Sequence, residues 1–151
     1  MIEGVAECVV RRPPQAVIDF VTDLESYKTA DWKIGRVLES RRDGDRILMR
    51  HGGKMRGIPG PPVSLEVRVH GLSVAYRSIP TVPSRWVLTF DGGFELTETP
   101  AGTRVVHTER FHFFAPWRFV AEPYLRRWLA ADIAEEMVRL KQLLEAPSSA
   151  Q

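Results

Sequence analysis

His107 and Glu109 stand two residues apart in the stretch VVHTERFHFF, residues 105–114. Alternate side chains of an extended chain share a face. Val105, His107, Glu109, Phe111 and Phe113 therefore point one way, and Arg104, Val106, Thr108, Arg110 and His112 the other. The first set is the more apolar and should turn towards a core, taking a histidine and a carboxylate with it. A carboxylate there is costly unless it is paired or hydrogen-bonded. Two chemistries follow. His107 and Glu109 could act as an acid/base or ligand-orienting pair on a cavity wall, helped by Tyr76 and His51 from other strands. Alternatively Glu109 is structural, satisfied by an arginine or histidine neighbour, which is what ion pairs in folded domains more commonly are. His107, Glu109 and His112 come closest to metal-ligand spacing, but strand parity sets His112 on the opposite face, so no metal is predicted. The stretch HGGKMRGIPGPP, residues 51–62, has glycines but lacks the lysine-serine/threonine step and the helix of a phosphate-binding loop. It reads as a long loop, either a gate over a cavity or plain surface. No cofactor is predicted.

These residues need elements to hold them. Residues 2–11 alternate weakly and stop at Pro13-Pro14, a strand followed by a helix start. Val17, Phe20, Val21 and Leu24 then fall at helical spacing, and Thr22 with Glu25 has the form of a capping box restarting a second short helix through Ala30. From Trp32 to Phe114 the punctuation at Asp43-Gly44, His70-Gly71, Asp91-Gly92-Gly93 and Pro100-Ala101-Gly102 is that of an antiparallel meander. It divides the segment into about six strands, about seven in all. In VSLEVRVH, residues 63–70, Val63, Leu65, Val67 and Val69 form one face, and Ser64, Glu66, Arg68 and His70 the wet one. The corresponding inner positions elsewhere are Ile47, Met49 and His51; Val74 and Tyr76; Trp86, Leu88 and Phe90; Phe94 and Leu96. Cys8, inward on the first strand, reads as a small buried hydrophobe. Glu122-Pro123 marks the predicted start of a long helix ending near Glu145. Its apolar spine is Leu125, Leu129, Ile133, Met137, Leu140 and Leu144. Tyr124, Trp128 and Ala131 fall on nearly the opposite side.

Composition sets limits. With 151 residues, 44% of them hydrophobic, the chain suits one domain, residues 1–146, with a core large enough to enclose a cavity and a disordered tail over residues 147–151. The single Cys8 excludes a disulfide framework and fits a cytoplasmic setting. No signal peptide and no apolar run of spanning length is read. A net charge of +2 does not by itself imply nucleic acid, and neither a nucleic-acid partner nor membrane insertion is predicted. Arg36, Arg41, Arg42, Arg46, Arg50, Lys54 and Arg56 could attract an acidic head group, but Glu39, Asp43 and Asp45 among them favour a solvated hairpin face.

One strand, two short helices, about six strands and a long closing helix resemble the α+β helix-grip fold. RRPPQAVIDFVTDLESYKTADW, GFELTETPAGTRVVHTERF and VRLKQLLEA resemble, in order, the opening, last hairpin and closing helix of the polyketide cyclase/dehydrase and lipid-transport superfamily, the START-like and birch-pollen-allergen-like proteins. The resemblance implies a curved sheet gripping the helix around an apolar ligand. The wall would then comprise Met49, His51, Val67, Tyr76, Trp86, Leu88, His107, Glu109, Phe111, Leu125, Leu129 and Ile133. It implies a carrier of a lipid, quinone or polyketide-like molecule, or else a cyclase or dehydratase with Glu109 or His107 as general base and Tyr76 as proton donor or carbonyl anchor. A third implied class is a co-chaperone-like interaction domain, for which Tyr124 and Trp128 would be the contact surface; the same stripe could make a homodimer.

Overall fold

A computed structural model of the chain describes residues 1–147. The order is β1 (Ile2–Val10), α1 (Pro14–Thr22), α2 (Leu24–Tyr27), β2 (Ile34–Asp43), β3 (Arg46–Met55), β4 (Ile58–His70), β5 (Ser73–Ser78), β6 (Leu88–Thr99), β7 (Gly102–Phe113) and α3 (Ala115–Glu145). The seven strands form one antiparallel sheet in the order β1-β7-β6-β5-β4-β3-β2, so the meander is broken only by β1, which returns beside β7. The predicted α+β helix-grip architecture is the observed one: the sheet curves around α3, with the two short helices after β1.

The spine of α3 is buried throughout, from Leu125 to Leu144. Its later part joins Val10, Val17, Leu24 and Val105 in one core, and Leu125, Leu129 and Ile133 join Ile2 and Phe111 in a second. Gly4 makes the close contact between β1 and α3 possible. A Cβ there would lie 2.5 Å from Ile133 Cδ1, a distance at which atoms overlap. The tail expected to be disordered lies, from residue 148, outside the described residues.

Several local expectations are corrected. Thr22 does not cap α2; its Oγ1 donates to the Ile18 carbonyl at 2.7 Å, and Glu25 pairs with Lys28 instead. Residues 51–62 are not a loop but the tip of the β3–β4 hairpin. Arg56 and Gly57, with φ of 52° and 81°, make the two-residue turn, the left-handed pair that matches strand twist. Pro59, Pro61 and Pro62 are tolerated because β5 pairs only with Leu65–His70, so the proline stretch has one side without a ladder to break. Asp91-Gly92-Gly93 is not a turn but the middle of β6. The long helix starts at Ala115, with Pro116 as its early proline, and Pro123 sits inside it. Both prolines carry a start signal, and only the surroundings choose between them: the Phe114 amide bonds Val87 O, and the Trp117 and Arg118 amides close the first turn on Phe114 O. Trp86 lies not on a strand but in a short 3-10 turn, half-exposed against Phe114. Trp128 is half-buried and packs on Phe111 with ring centroids 6.4 Å apart, so it does not face away from the sheet.

Candidate functional site

The site is built around a lysine. Asp31 and Lys33 occupy the connection between α2 and β2, where α2 ends against the core and the chain turns into the sheet. Lys33 Nζ lies 2.9 Å from Asp31, 2.7 Å from Asp132, 3.0 Å from Glu136 and 3.3 Å from Glu109. Asp132 and Glu136 are one helical turn apart on α3 and share a face. Glu109 arrives from β7. Asp31, Asp132 and Glu136 bring carboxylate oxygens within 4.8 Å of one another, and the ammonium occupies the space a metal cation would take.

A second branch runs through Glu136, which is fully buried. Its Oε1 accepts a hydrogen bond from the Tyr27 hydroxyl and lies 3.1 Å from His107 Nδ1. His107 stacks on Phe94, with ring centroids 4.2 Å apart, and its Nε2 is 3.0 Å from the Tyr76 hydroxyl. Tyr76, Gly92 and Glu109 occupy one row across β5, β6 and β7. A Cβ at Gly92 would sit 2.6 Å from the Tyr76 oxygen, so the glycine is what lets the tyrosine reach over β6 to His107.

Burial and charge set the protonation states. Burial pushes the Glu109 carboxyl up to about 7, opposed by Lys33. Burial likewise raises Asp31. For Glu136 burial is outweighed by Lys33 and His107, which hold it below the usual carboxylate range. His107 would be lowered by burial, but Glu136 and then Glu109 favour its cation and raise it. A protonated His107 carries a proton on both nitrogens; Nε2 donates to the Tyr76 oxygen, while Nδ1 faces Glu136 as a charge partner without an aligned hydrogen bond. Tyr76, raised well above its normal value chiefly by burial, then keeps its own proton for another acceptor. Glu109 Oε2 is buried and, although close to Lys33, receives no aligned hydrogen bond. On the cavity side one donor, the Tyr76 hydroxyl, and one acceptor, Glu109, are thus left over.

Both face a cavity of about 720 Å³ between sheet and helix. Met49, His51, Val67, Tyr76, Leu88, Glu109, Phe111 and Leu125 line it, as do Asp31, Lys33, Tyr124 and Trp128. The structure departs from the expected wall at four positions. Trp86 stays outside with its turn. His107 is fully buried behind Tyr76 and Phe94 rather than at the cavity surface. Leu129 and Ile133 pack on Gly4 of β1, because the helix face that opposes β1 is already filled. The structural partner of Glu109 is Lys33, not an arginine or histidine. Sequence reasoning missed Lys33, Asp132 and Glu136. The usable signal was Glu136, a charge set three residues from Ile133 and directly before Met137 on the apolar spine.

A curved antiparallel sheet closed on one long helix, with an apolar cavity between them carrying a few convergent polar groups, defines a helix-grip protein. The sequence matches the family described as polyketide cyclase / dehydrase and lipid transport over residues 1–145, and the chain belongs to that family. Its fold is similar to that of a protein of Thermus thermophilus, with 20% identity, a TM-score of 0.77 and coverage of 97% of this chain and 99% of the other. It is also similar to the Zhui aromatase/cyclase of a Streptomyces species (16% identity, TM-score 0.72, 98% of each chain). A START superfamily protein of Mycobacterium smegmatis shares the fold at 14% identity and a TM-score of 0.68, over 91% of this chain and 92% of that one. No curated protein matches the sequence.

Proposed function

We propose that the protein binds and carries an apolar small molecule, of lipid, quinone or polyketide-like chemistry, in the space between the sheet and α3. The observation that carries this reading is the cavity itself: about 720 Å³ walled largely by Met49, Leu65, Val67, Val74, Phe90 and Phe111. A void of this kind left empty forfeits packing contacts along its lining, and a ligand restores them. The polar groups gather at the Lys33 side, where Tyr76 can donate and Glu109 can accept, which suits a molecule with one oxygenated end.

Val67→Trp tests this. Val67 points inward from the middle of β4 and lines the space, so an indole there should occupy it. Affinity for an environment-sensitive apolar dye, or for a fatty acid, should fall at least tenfold while thermal stability stays close to that of the wild type. If the residue instead faced packed core, overpacking would cost about 1–3 kcal/mol, and a destabilised variant with undiminished dye binding would end the proposal. Native mass spectrometry of freshly purified protein would identify a bound molecule directly.

A second reading, a cyclase or dehydratase, is favoured by one observation. Glu109 is a cavity-facing carboxyl raised to about 7 with an oxygen that receives no hydrogen bond, the state suited to accept a proton near neutral pH. Tyr76 would hold or protonate a carbonyl beside it. Glu109→Gln separates the roles. The folded carboxyl is raised from 4.5 to about 7, so between these values the folded protein holds a proton that the unfolded chain has released, and stability falls as pH rises through that window. Glutamine resembles the neutral acid. The variant should match wild-type stability below about pH 4.5 and exceed it well above pH 7 by on the order of 3 kcal/mol, as read from urea denaturation at each pH. Turnover of a cyclising substrate should vanish if Glu109 is a base. Equal activity in the stable variant would leave the carrier reading alone.

A further inference from the structure

Three segments lie at or next to the cavity lining: residues 52–65 at the β3–β4 hairpin and 78–90 around the 3-10 turn, which supply much of it, and 111–121, which run from Phe111 of the lining into α3. They contain Lys54, Arg56, Arg85 and Arg118 and no aspartate or glutamate, although the chain has 19 acidic residues. They also carry half of the exposed large hydrophobic side chains among the described residues, including Ile58, Trp86, Trp117, Phe119 and Val120. The cations are laid over these aromatics. The Arg85 guanidinium is 5.6 Å from the Trp86 ring and that of Arg118 is 5.2 Å from Phe119; Arg56 stands 5.1 Å from Tyr124, the next aromatic along α3. Lys54, Arg56, Ile58 and Tyr124 line the cavity as well, so the patch is continuous with its rim.

We propose that this rim is a docking surface for an anionic lipid membrane. The first turns of α3 decide between occupants. Trp117 and Phe119 are two residues apart on a helix and so project about 200° apart, yet they are 54% and 73% exposed, with Val120 at 74%. A protein partner covers one face of a helix, whereas the boundary between head groups and acyl chains surrounds an inserted helix end on all sides. A second copy of the chain would bring Lys54, Arg56, Arg85 and Arg118 against their own counterparts, which like-charge repulsion opposes. Anionic head groups meet those cations, and the aromatic rings take the interfacial level that tryptophan favours. Among the described residues no helix is long and apolar enough to cross a membrane, and the proposed attachment is peripheral. The inference stands independently of what the cavity carries, though it places the cavity's rim against the lipid.

Co-sedimentation with phosphatidylcholine vesicles, with and without a minority of phosphatidylglycerol, tests it, with tryptophan emission as a second readout. Binding should require the anionic lipid, shift emission to the blue and weaken as salt is added. The pair Arg85→Gln and Arg118→Gln should lower vesicle affinity about tenfold or more, and the pair Trp117→Ser and Phe119→Ser should abolish the blue shift. Because all four side chains are exposed, both variants should keep wild-type circular dichroism and wild-type affinity for a soluble apolar dye, which separates failure here from failure of the cavity reading. Absence of vesicle binding, binding that both pairs leave unchanged, or equal binding to neutral vesicles overturns the proposal. So does a concentration-dependent dimer in sedimentation velocity that the Trp117/Phe119 pair dissolves, since that would assign the patch to self-association.

Discussion

Lys33→Met is expected to cost about 3–5 kcal/mol near neutral pH, the range found when one partner is removed from a buried ionic cluster. Methionine keeps the length of the side chain and removes the only lysine or arginine among four carboxylates, those of Asp31, Glu109, Asp132 and Glu136. The loss should depend on pH in a definite direction. Without the ammonium the carboxylates, now buried next to one another, take up protons to escape the cost of their charge. Their pKa values in the folded variant then exceed the unfolded ones, so stability decreases as pH rises through that interval. Urea midpoints should therefore lie closest to wild type near pH 4–5 and furthest from it near pH 8. A variant equally destabilised at every pH would show that Lys33 contributes packing alone.

Glu136→Gln should be the next most damaging change, about 2–4 kcal/mol at its worst. It leaves the side chain's shape but takes the anion away from Lys33 and His107 and alters the bond from Tyr27. The wild-type advantage follows from two linked titrations. Glu136 is depressed below its ordinary 4.5, so its contribution is present above that value and is lost as pH falls towards the folded pKa. His107 is raised above 6.5, so its contribution is complete below 6.5 and disappears as pH rises through the folded pKa. The difference between wild type and variant should peak between pH 4.5 and 6.5 and shrink on both sides. Denaturation across this range checks the stability, and the imidazole proton shifts check the cause: the His107 titration should move to lower pH in the variant. A flat difference, with His107 titrating as before, would remove Glu136 as the source of the histidine's charge.

The contrast between these substitutions and Glu109→Gln separates roles that side-chain type does not. Glu109 and Glu136 contact the same ammonium. Glu136 is also bonded by Tyr27 and faces His107, so its anion is stabilised. Glu109 faces the cavity with no aligned hydrogen bond to its buried oxygen, so burial outweighs Lys33 and the more distant His107, and its carboxyl is raised to about 7. Lys33, His107 and Tyr27 together thus hold Glu136 below the usual carboxylate range, and Glu109 is left as the group available to a ligand.

What could be read without the fold was whatever depends on near neighbours in the chain. Strand parity turned His107 and Glu109 inward together because alternation is a property of any extended backbone, and helical spacing picked out the buried spine of α3 for the same reason. The order of elements then resembled one architecture closely enough to imply a sheet around a helix. Signals with two local meanings were misassigned. Gly92-Gly93 is as good a turn as it is a gap beneath Tyr76, and Pro116 and Pro123 both suit a helix start; contacts with other strands and with Val87 choose between the meanings. The lysine cluster was legible only in three dimensions. Lys33 meets Glu109, Asp132 and Glu136 across the whole length of the domain, and no local period relates those positions. Curvature of the sheet around α3 brings them together, and the neighbours each one then meets in the same buried space, not the residue types, decide which carboxylate stays ionised.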